Sequence, residues 1–168
     1  MRSFNPLRIA AAALVVACAG SSSESPFATE ISAGGLSLAT DKTTYSIADV
    51  SPGSAGIRAT LTAAPDKPYY AKLGDAFNGA VDQNPLYIAE GTDGLVERES
   101  GNGWVKASGG VLVEGVREVV LTPGKTYSVF ALLSTPIQTG TYRLTINASE
   151  TAGGARTRVV RSATFDVR

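Results

Sequence analysis

Two-residue alternation of apolar and polar side chains dominates the chain after position 35 and predicts strands rather than helices. Ile57, Ala59, Leu61 and Ala63 share one face, while Arg58, Thr60 and Thr62 share the other. Tyr142, Leu144, Ile146 and Ala148 alternate in the same way with Arg143, Thr145 and Asn147, and Phe165 and Val167 alternate with Thr164, Asp166 and Arg168. Successive side chains of a strand point to opposite faces, so each segment is expected to bury one face and wet the other. Strands are predicted at about 36–40, 56–63, 94–99, 104–107, 111–121, 126–133, 141–149 and 158–167. Short strands divided by Gly, Pro, Asn and Asp form the pattern of an all-β sandwich.

Turn chemistry supports this division. Ser100, Gly101, Asn102 and Gly103 predict a tight hairpin, because Asn and Gly tolerate the positive φ that such turns demand. Pro123 and Gly124 predict a turn between Leu121 and Tyr127. Ala152, Gly153 and Gly154 are placed to close a last hairpin whose arms, near 141–149 and 158–167, pair antiparallel. The segment 65–94 fits the alternation worst. It holds Tyr69, Tyr70, Phe77 and Tyr87 among turn formers such as Asp66, Gly74, Asn78, Gly79, Asn84 and Pro85. It reads either as a loop with one or two short strands whose aromatics cap the open end of the sandwich, or as a recognition surface, since tyrosines offer rigid contact area with a hydrogen-bonding tip.

Composition changes ahead of residue 36. Arg2 and Arg8 make a basic start, and the apolar run from Ile9 to Ala17 falls well short of the roughly 20 residues that a membrane-spanning helix needs, so a cleaved export signal over 1–17 is expected. Val15, Val16 and Ala17 stand before Cys18, the only cysteine, and resemble the lipobox of bacterial lipoproteins, in which the cysteine is diacylated before the cut. The other reading is an ordinary secretory signal cut among Ala19 to Ser23, which discards the thiol. The lipobox resemblance implies attachment to a membrane through lipid on Cys18, because two or three acyl chains anchor stably where one is marginal. Ala19, where an aspartate marks inner-membrane retention, points to the outer membrane.

Residues 18–35, rich in Ser, Ala and Gly, predict a flexible tether, and 36–168 fit one domain. Losing Arg2 and Arg8 turns 15 basic and 15 acidic side chains into 13 against 15. That balance disfavours nucleic acid and anionic membrane surfaces as electrostatic partners.

Leu36, Leu38, Asp41, Lys42 and Tyr45 open the domain with the pattern L-x-L-x-x-D-K-x-x-Y. Gly103, Trp104 and Val105 then follow Glu97-Arg98-Glu99, Pro123 and Gly124 follow an apolar strand, and Gly140, Thr141, Tyr142 and Arg143 precede another. In that order they resemble the bacterial immunoglobulin-like domains of small exported lipoproteins, over most of 36–168. The resemblance implies an antiparallel immunoglobulin-like β-sandwich with 65–94 as a long insertion, since such a domain needs about 100 residues. It places Tyr142, with Gly140 two residues before it, at a tyrosine corner whose hydroxyl returns to nearby backbone; a plain inward aromatic is the alternative. The chain departs from antibody domains in having no cysteine after Cys18, hence no intersheet disulfide. Trp104, just beyond a hairpin, either packs over a sheet edge or lines a surface groove.

Catalytic chemistry is constrained mostly by what is missing. Without histidine there is no Ser/His/Asp triad, no histidine base and no imidazole ligand for zinc. Glu97 and Glu99, beside Arg98, read as a solvated strand face rather than an acid/base pair. Asp75, Asp82 and Asp93 lack the alternating spacing of a compact calcium loop, and no Gly-rich segment joins a strand to a helix to cradle phosphate. Asn147-Ala148-Ser149 matches a glycosylation triplet by pattern only. A non-catalytic envelope lipoprotein without metal or cofactor is therefore expected, binding an envelope protein or glycan through loops or a sheet edge. Proteinase inhibition through 65–94 and carbohydrate binding on Tyr69, Tyr70, Tyr87 or Trp104 are the alternatives.

Overall fold

A computed structural model of the chain describes residues 30–31, 34–75, 85–107, 113 and 115–168. The export signal, Cys18, most of the tether, Phe77 and Asp82 lie outside the described residues. Among the described residues the strands are β1 (Glu30–Ile31), β2 (Ser37–Thr40), β3 (Thr44–Tyr45), β4 (Ile57–Thr62), β5 (Tyr69–Asp75), β6 (Leu86–Ile88), β7 (Gly94–Ser100), β8 (Gly103–Lys106), β9 (Gly115–Leu121), β10 (Thr126–Ala131), β11 (Gly140–Ala148), β12 (Arg158–Arg161) and β13 (Phe165–Val167). One helical turn, α1 (Ile47–Val50), interrupts them; Ser46 and Asp49 close a capping box around its start.

The strands form two sheets, ordered β1-β2-β4-β10-β6-β5-β9 and β3-β13-β11-β7-β8, with β12 also on β11. Their inward faces make one core, an all-β sandwich. The alternation read from the sequence marks that core: Ile57, Ala59, Leu61 and Ala63 are buried from one layer, and Tyr142, Leu144, Ile146, Ala148, Phe165 and Val167 from the other. Thr145 departs from the pattern, buried on the outward side beneath charged neighbours.

Pairing is antiparallel except at β6 with β10 and β3 with β13, which run parallel. The opening pattern is two strands rather than one. Leu36 and Leu38 belong to the seven-stranded layer and Tyr45 to the six-stranded layer, and the chain crosses between them at Asp41 to Thr43. Tyr45 donates its hydroxyl back to Asp41 Oδ1 at 2.5 Å across that crossing.

Three turns match their expected places, with one difference of consequence. β7 and β8 form the expected hairpin, Ser100 opposite Gly103, with Gly101 and Asn102 as its central residues. Lys125 N donates to Thr122 O at 3.1 Å, and Gly124 has φ +71° after Pro123, the form of a type II turn. That turn does not make a hairpin, because β9 pairs with β5 while β10 pairs with β4 and β6. The last hairpin forms as expected, but its second arm is split. Arg161 stands opposite Thr145 and Phe165 opposite Tyr142, so Ser162, Ala163 and Thr164 oppose two residues and make a bulge. Ser162 Oγ accepts from Leu144 N at 3.0 Å there, replacing the carbonyl that the bulge displaces.

Two expected boundaries move. β1 pairs with β2 inside the stretch assigned to the tether, through Glu30 opposite Leu38 and Ile31 opposite Ser37. The described parts of 65–94 do not form an excursion from the sandwich: β5 pairs with β9 over seven positions, from Tyr69 opposite Leu121 to Asp75 opposite Gly115.

Candidate functional site

The outward face of the seven-stranded sheet carries an aromatic shelf. Phe130 of β10 stands opposite Arg58 of β4 and Tyr87 of β6, and residues paired across strands share a face. Their inward neighbours Ile57, Ala59, Leu86, Ile88, Val129 and Ala131 are core residues, which turns Arg58, Phe130 and Tyr87 outward. The Tyr87 and Phe130 ring centroids lie 5.8 Å apart with planes at 38°, and the Arg58 guanidinium carbon lies 5.2 Å from the Phe130 centroid. Arg58 takes part in none of the ion pairs among the described residues.

A cleft of about 280 Å³ opens on this shelf, with Ser54, Gly56 and Leu132 completing its wall. Gly56 sets the rim. Its φ is +70°, its N donates to Asp49 O at 2.9 Å, and a Cβ there would meet Ala131 O at 2.8 Å, so only glycine lets this turn lie against the end of β10. An apolar shelf ended by a cation suits an apolar or aromatic group that carries a negative or carbonyl end.

The aromatics of 65–94 separate. Tyr69 is fully buried and donates its hydroxyl to Gly34 O at 3.2 Å, so it belongs to the core and is no contact surface. Tyr70 is half-buried, and its backbone bridges to Ser149. Tyr87 alone joins the shelf, while Phe77 lies outside the described residues. Phe130 and Arg58 were not singled out from the sequence. The available signal was an aromatic at an outward position between the inward Val129 and Ala131.

The other outward face is built around Glu97 and Trp104. Glu97 Oε2 accepts from Arg143 Nε at 2.8 Å and from Thr145 Oγ1 at 2.7 Å, which corrects the expectation of a freely solvated face. Burial pushes the Glu97 carboxyl up, but those two hydrogen bonds and the charges of Arg143 and Arg161 outweigh it and hold the group below its ordinary range. Trp104, half-buried on the edge strand β8, has the Arg143 guanidinium carbon 4.0 Å from its ring centroid.

Tyr142 is buried against Phe165, centroids 6.0 Å apart, and donates its hydroxyl to Gln138 O. Burial raises the pKa of that hydroxyl and keeps it a donor. Gly140 precedes it at φ +143°, which glycine adopts freely. Arginines hold two of the three aspartates whose spacing does not suit a calcium loop, Asp75 with Arg117 at 2.8 Å and Asp93 with Arg156 at 2.6 Å. Asn147 donates its side-chain amide to Asp93 O at 3.2 Å. No family model matches this chain, and neither a curated protein nor a solved structure matches it.

Proposed function

We propose that this chain is a non-catalytic bacterial envelope lipoprotein, anchored through lipid on Cys18, whose immunoglobulin-like sandwich binds another envelope protein on the Arg58–Phe130–Tyr87 shelf. The observation that carries the binding site is an arginine, in no ion pair among the described residues, stacked on Phe130 of a half-buried aromatic pair beside an open cleft. Protein interfaces concentrate their binding energy in such aromatic and arginine anchors. The immunoglobulin-like reading is supported by the order of the opening, hairpin and Gly140–Tyr142 patterns and by the Tyr142 hydroxyl returning to backbone four residues upstream. The anchor is supported by the apolar run that ends at the sole cysteine.

A photo-crosslinking residue at position 87 in intact cells tests the shelf. A discrete crosslinked protein is expected, and Phe130→Ala should abolish it while circular dichroism stays unchanged. Crosslinks that persist undiminished in Phe130→Ala would overturn the site. Cys18→Ser is expected to release a folded protein from membranes, and continued membrane attachment would overturn the anchor.

A further inference from the structure

The Glu97-Arg98-Glu99 and Gly140-Thr141-Tyr142 stretches meet at one end of the sandwich, where an arginine interrupts the dry face of its strand. Arg98 stands opposite Tyr142 on one side and Val105 on the other, and Tyr142 stands opposite Phe165. Residues paired across strands share a face. Tyr142, Phe165 and Val96, two positions before Arg98, are core residues, so the half-buried Arg98 turns toward the gap between the layers. Its stem runs beside Gly140, where an added Cβ would meet Arg98 Cδ at 3.9 Å. Burial raises the Tyr142 hydroxyl and the Arg98 charge opposes it, which puts the guanidinium near that hydroxyl. Arg98 takes part in none of the ion pairs among the described residues, and its one hydrogen bond there, from Nη1 to Glu99 O, is 3.5 Å long. A guanidinium held this way keeps its fork for a partner that the described chain does not supply.

A cleft of about 240 Å³ opens at this arginine. Val105, Ala107, Leu133, Pro136 and Tyr142 line it with Arg98, and the crossing from β10 to β11 supplies the rest of its wall. Among the described residues no carboxylate lines it, since Glu97 and Glu99 lie on the other face of β7. Lys106, the second cation of the wall, stands opposite Glu97 on that outward side. The cleft is thus an apolar recess with one inward cation. Clefts for drug-sized ligands measure roughly 300–1,000 Å³, so this one takes a group the size of one side chain. A wholly apolar occupant would strip water from the guanidinium and give it no partner, whereas a carboxylate matches its fork. We propose that the cleft binds a small apolar group ending in a single carboxylate, with Arg98 on the carboxylate and Val105, Leu133 and Pro136 against the apolar body. A free branched-chain acid and the last residue of a polypeptide share this chemistry. The cleft lies between the layers, away from the Arg58–Phe130–Tyr87 shelf on the outer face of the seven-stranded sheet, and either site can fail without the other.

Calorimetric titration of the full chain in detergent tests this, with 4-methylpentanoate as the free acid and N-acetyl-leucine as the chain terminus. Saturable binding is expected. Tighter binding of N-acetyl-leucine marks a chain terminus, and no gain over 4-methylpentanoate marks a free acid. The uncharged 4-methylpentanamide and acetate, which lacks the apolar body, should each bind more weakly by about tenfold or more. Arg98→Gln is expected to weaken binding by about tenfold, the scale of one lost charge-assisted hydrogen bond. Val105 is exposed, so Val105→Glu leaves the core intact while placing a carboxylate directly opposite Arg98; it should block binding, and Val105→Gln should retain most of it. Phe130→Ala should leave the titration unchanged. No saturable binding of either acid, equal binding of the amide or of acetate, or parental affinity in both Arg98→Gln and Val105→Glu would each overturn the proposal.

Discussion

Tyr70 and Ser149 exchange both of their backbone hydrogen bonds, Tyr70 N to Ser149 O at 2.9 Å and Ser149 N to Tyr70 O at 2.8 Å. Tyr70 lies in the seven-stranded sheet and Ser149 directly follows β11 of the six-stranded sheet, so this bridge stitches the two layers along one side. Nearby, Arg156 adds a charged clamp from Asp93 at 2.6 Å to Glu118 at 3.0 Å. Without a disulfide in the domain, such links hold the layers in register.

Ser149→Pro tests the bridge. Proline removes the N–H that donates to Tyr70 O and leaves that carbonyl unmatched, which costs about 1–3 kcal/mol. Urea unfolding should show a lower midpoint with an unchanged slope; an unaltered midpoint would mean that the bridge contributes nothing.

Tyr142→Phe deletes the hydroxyl that donates to Gln138 O while keeping the ring on Phe165. A loss of about 1 kcal/mol is expected, the typical net worth of one such bond. Thermal unfolding measures it, and an unchanged melting temperature would reduce Tyr142 to an ordinary core aromatic.

Gly94→Ala should destabilise the fold through crowding. A Cβ at Gly94 would sit 2.6 Å from Cγ1 of the fully buried Ile88, a methylene held next to the branched Cβ inside the core. Overpacking of this kind costs about 1–3 kcal/mol, and pairing Gly94→Ala with Ile88→Ala, which removes the clashing Cγ1, should cost less than the sum of the two single changes.

Stability should fall in acid. Glu97, Glu118, Glu150 and Asp166 all sit below their ordinary carboxyl values in the folded chain, held there chiefly by hydrogen bonds from arginine, lysine, threonine or backbone donors. Unfolding therefore takes up protons. The stabilisation is fully present above the ordinary values of 3.8 for Asp and 4.5 for Glu, and is lost as pH falls through the lower folded values. Unfolding midpoints measured from neutral pH downward should decline below about pH 5, with a shallower decline in Glu97→Gln. In alkali the sign reverses. Burial, with the Asp41 carboxylate beside it, raises the Tyr45 hydroxyl above its ordinary 10.0, so stability should fall again as pH rises past that value.

The candidate surfaces were only partly legible beforehand. Tyr87 and Trp104 stood out as aromatics, and both face outward; Tyr69 stood out equally and lies in the core. An aromatic near a turn carries no mark of its side until the register of its strand is known. Arg58, Phe130, Arg143 and Arg161 acquire meaning only from pairing across strands, which brings together residues 16 to 72 positions apart in the chain.

The chain's own pattern determined which segments are strands and which side of each is dry, because the two-residue period of side chains is a local property that survives any arrangement of neighbours. Ile57 to Ala63 and Tyr142 to Ala148 show it plainly. Only the tertiary structure decided which strands lie side by side: that β9 leaves its sequence neighbour β10 for β5, that β6 runs parallel to β10, and that β5 and β6 of the 65–94 stretch belong within a sheet. Backbone N–H and C=O groups are alike at nearly every residue, so hydrogen bonding alone names no partner. The choice falls to the burial of whole faces against one another, which exists only once the chain has closed.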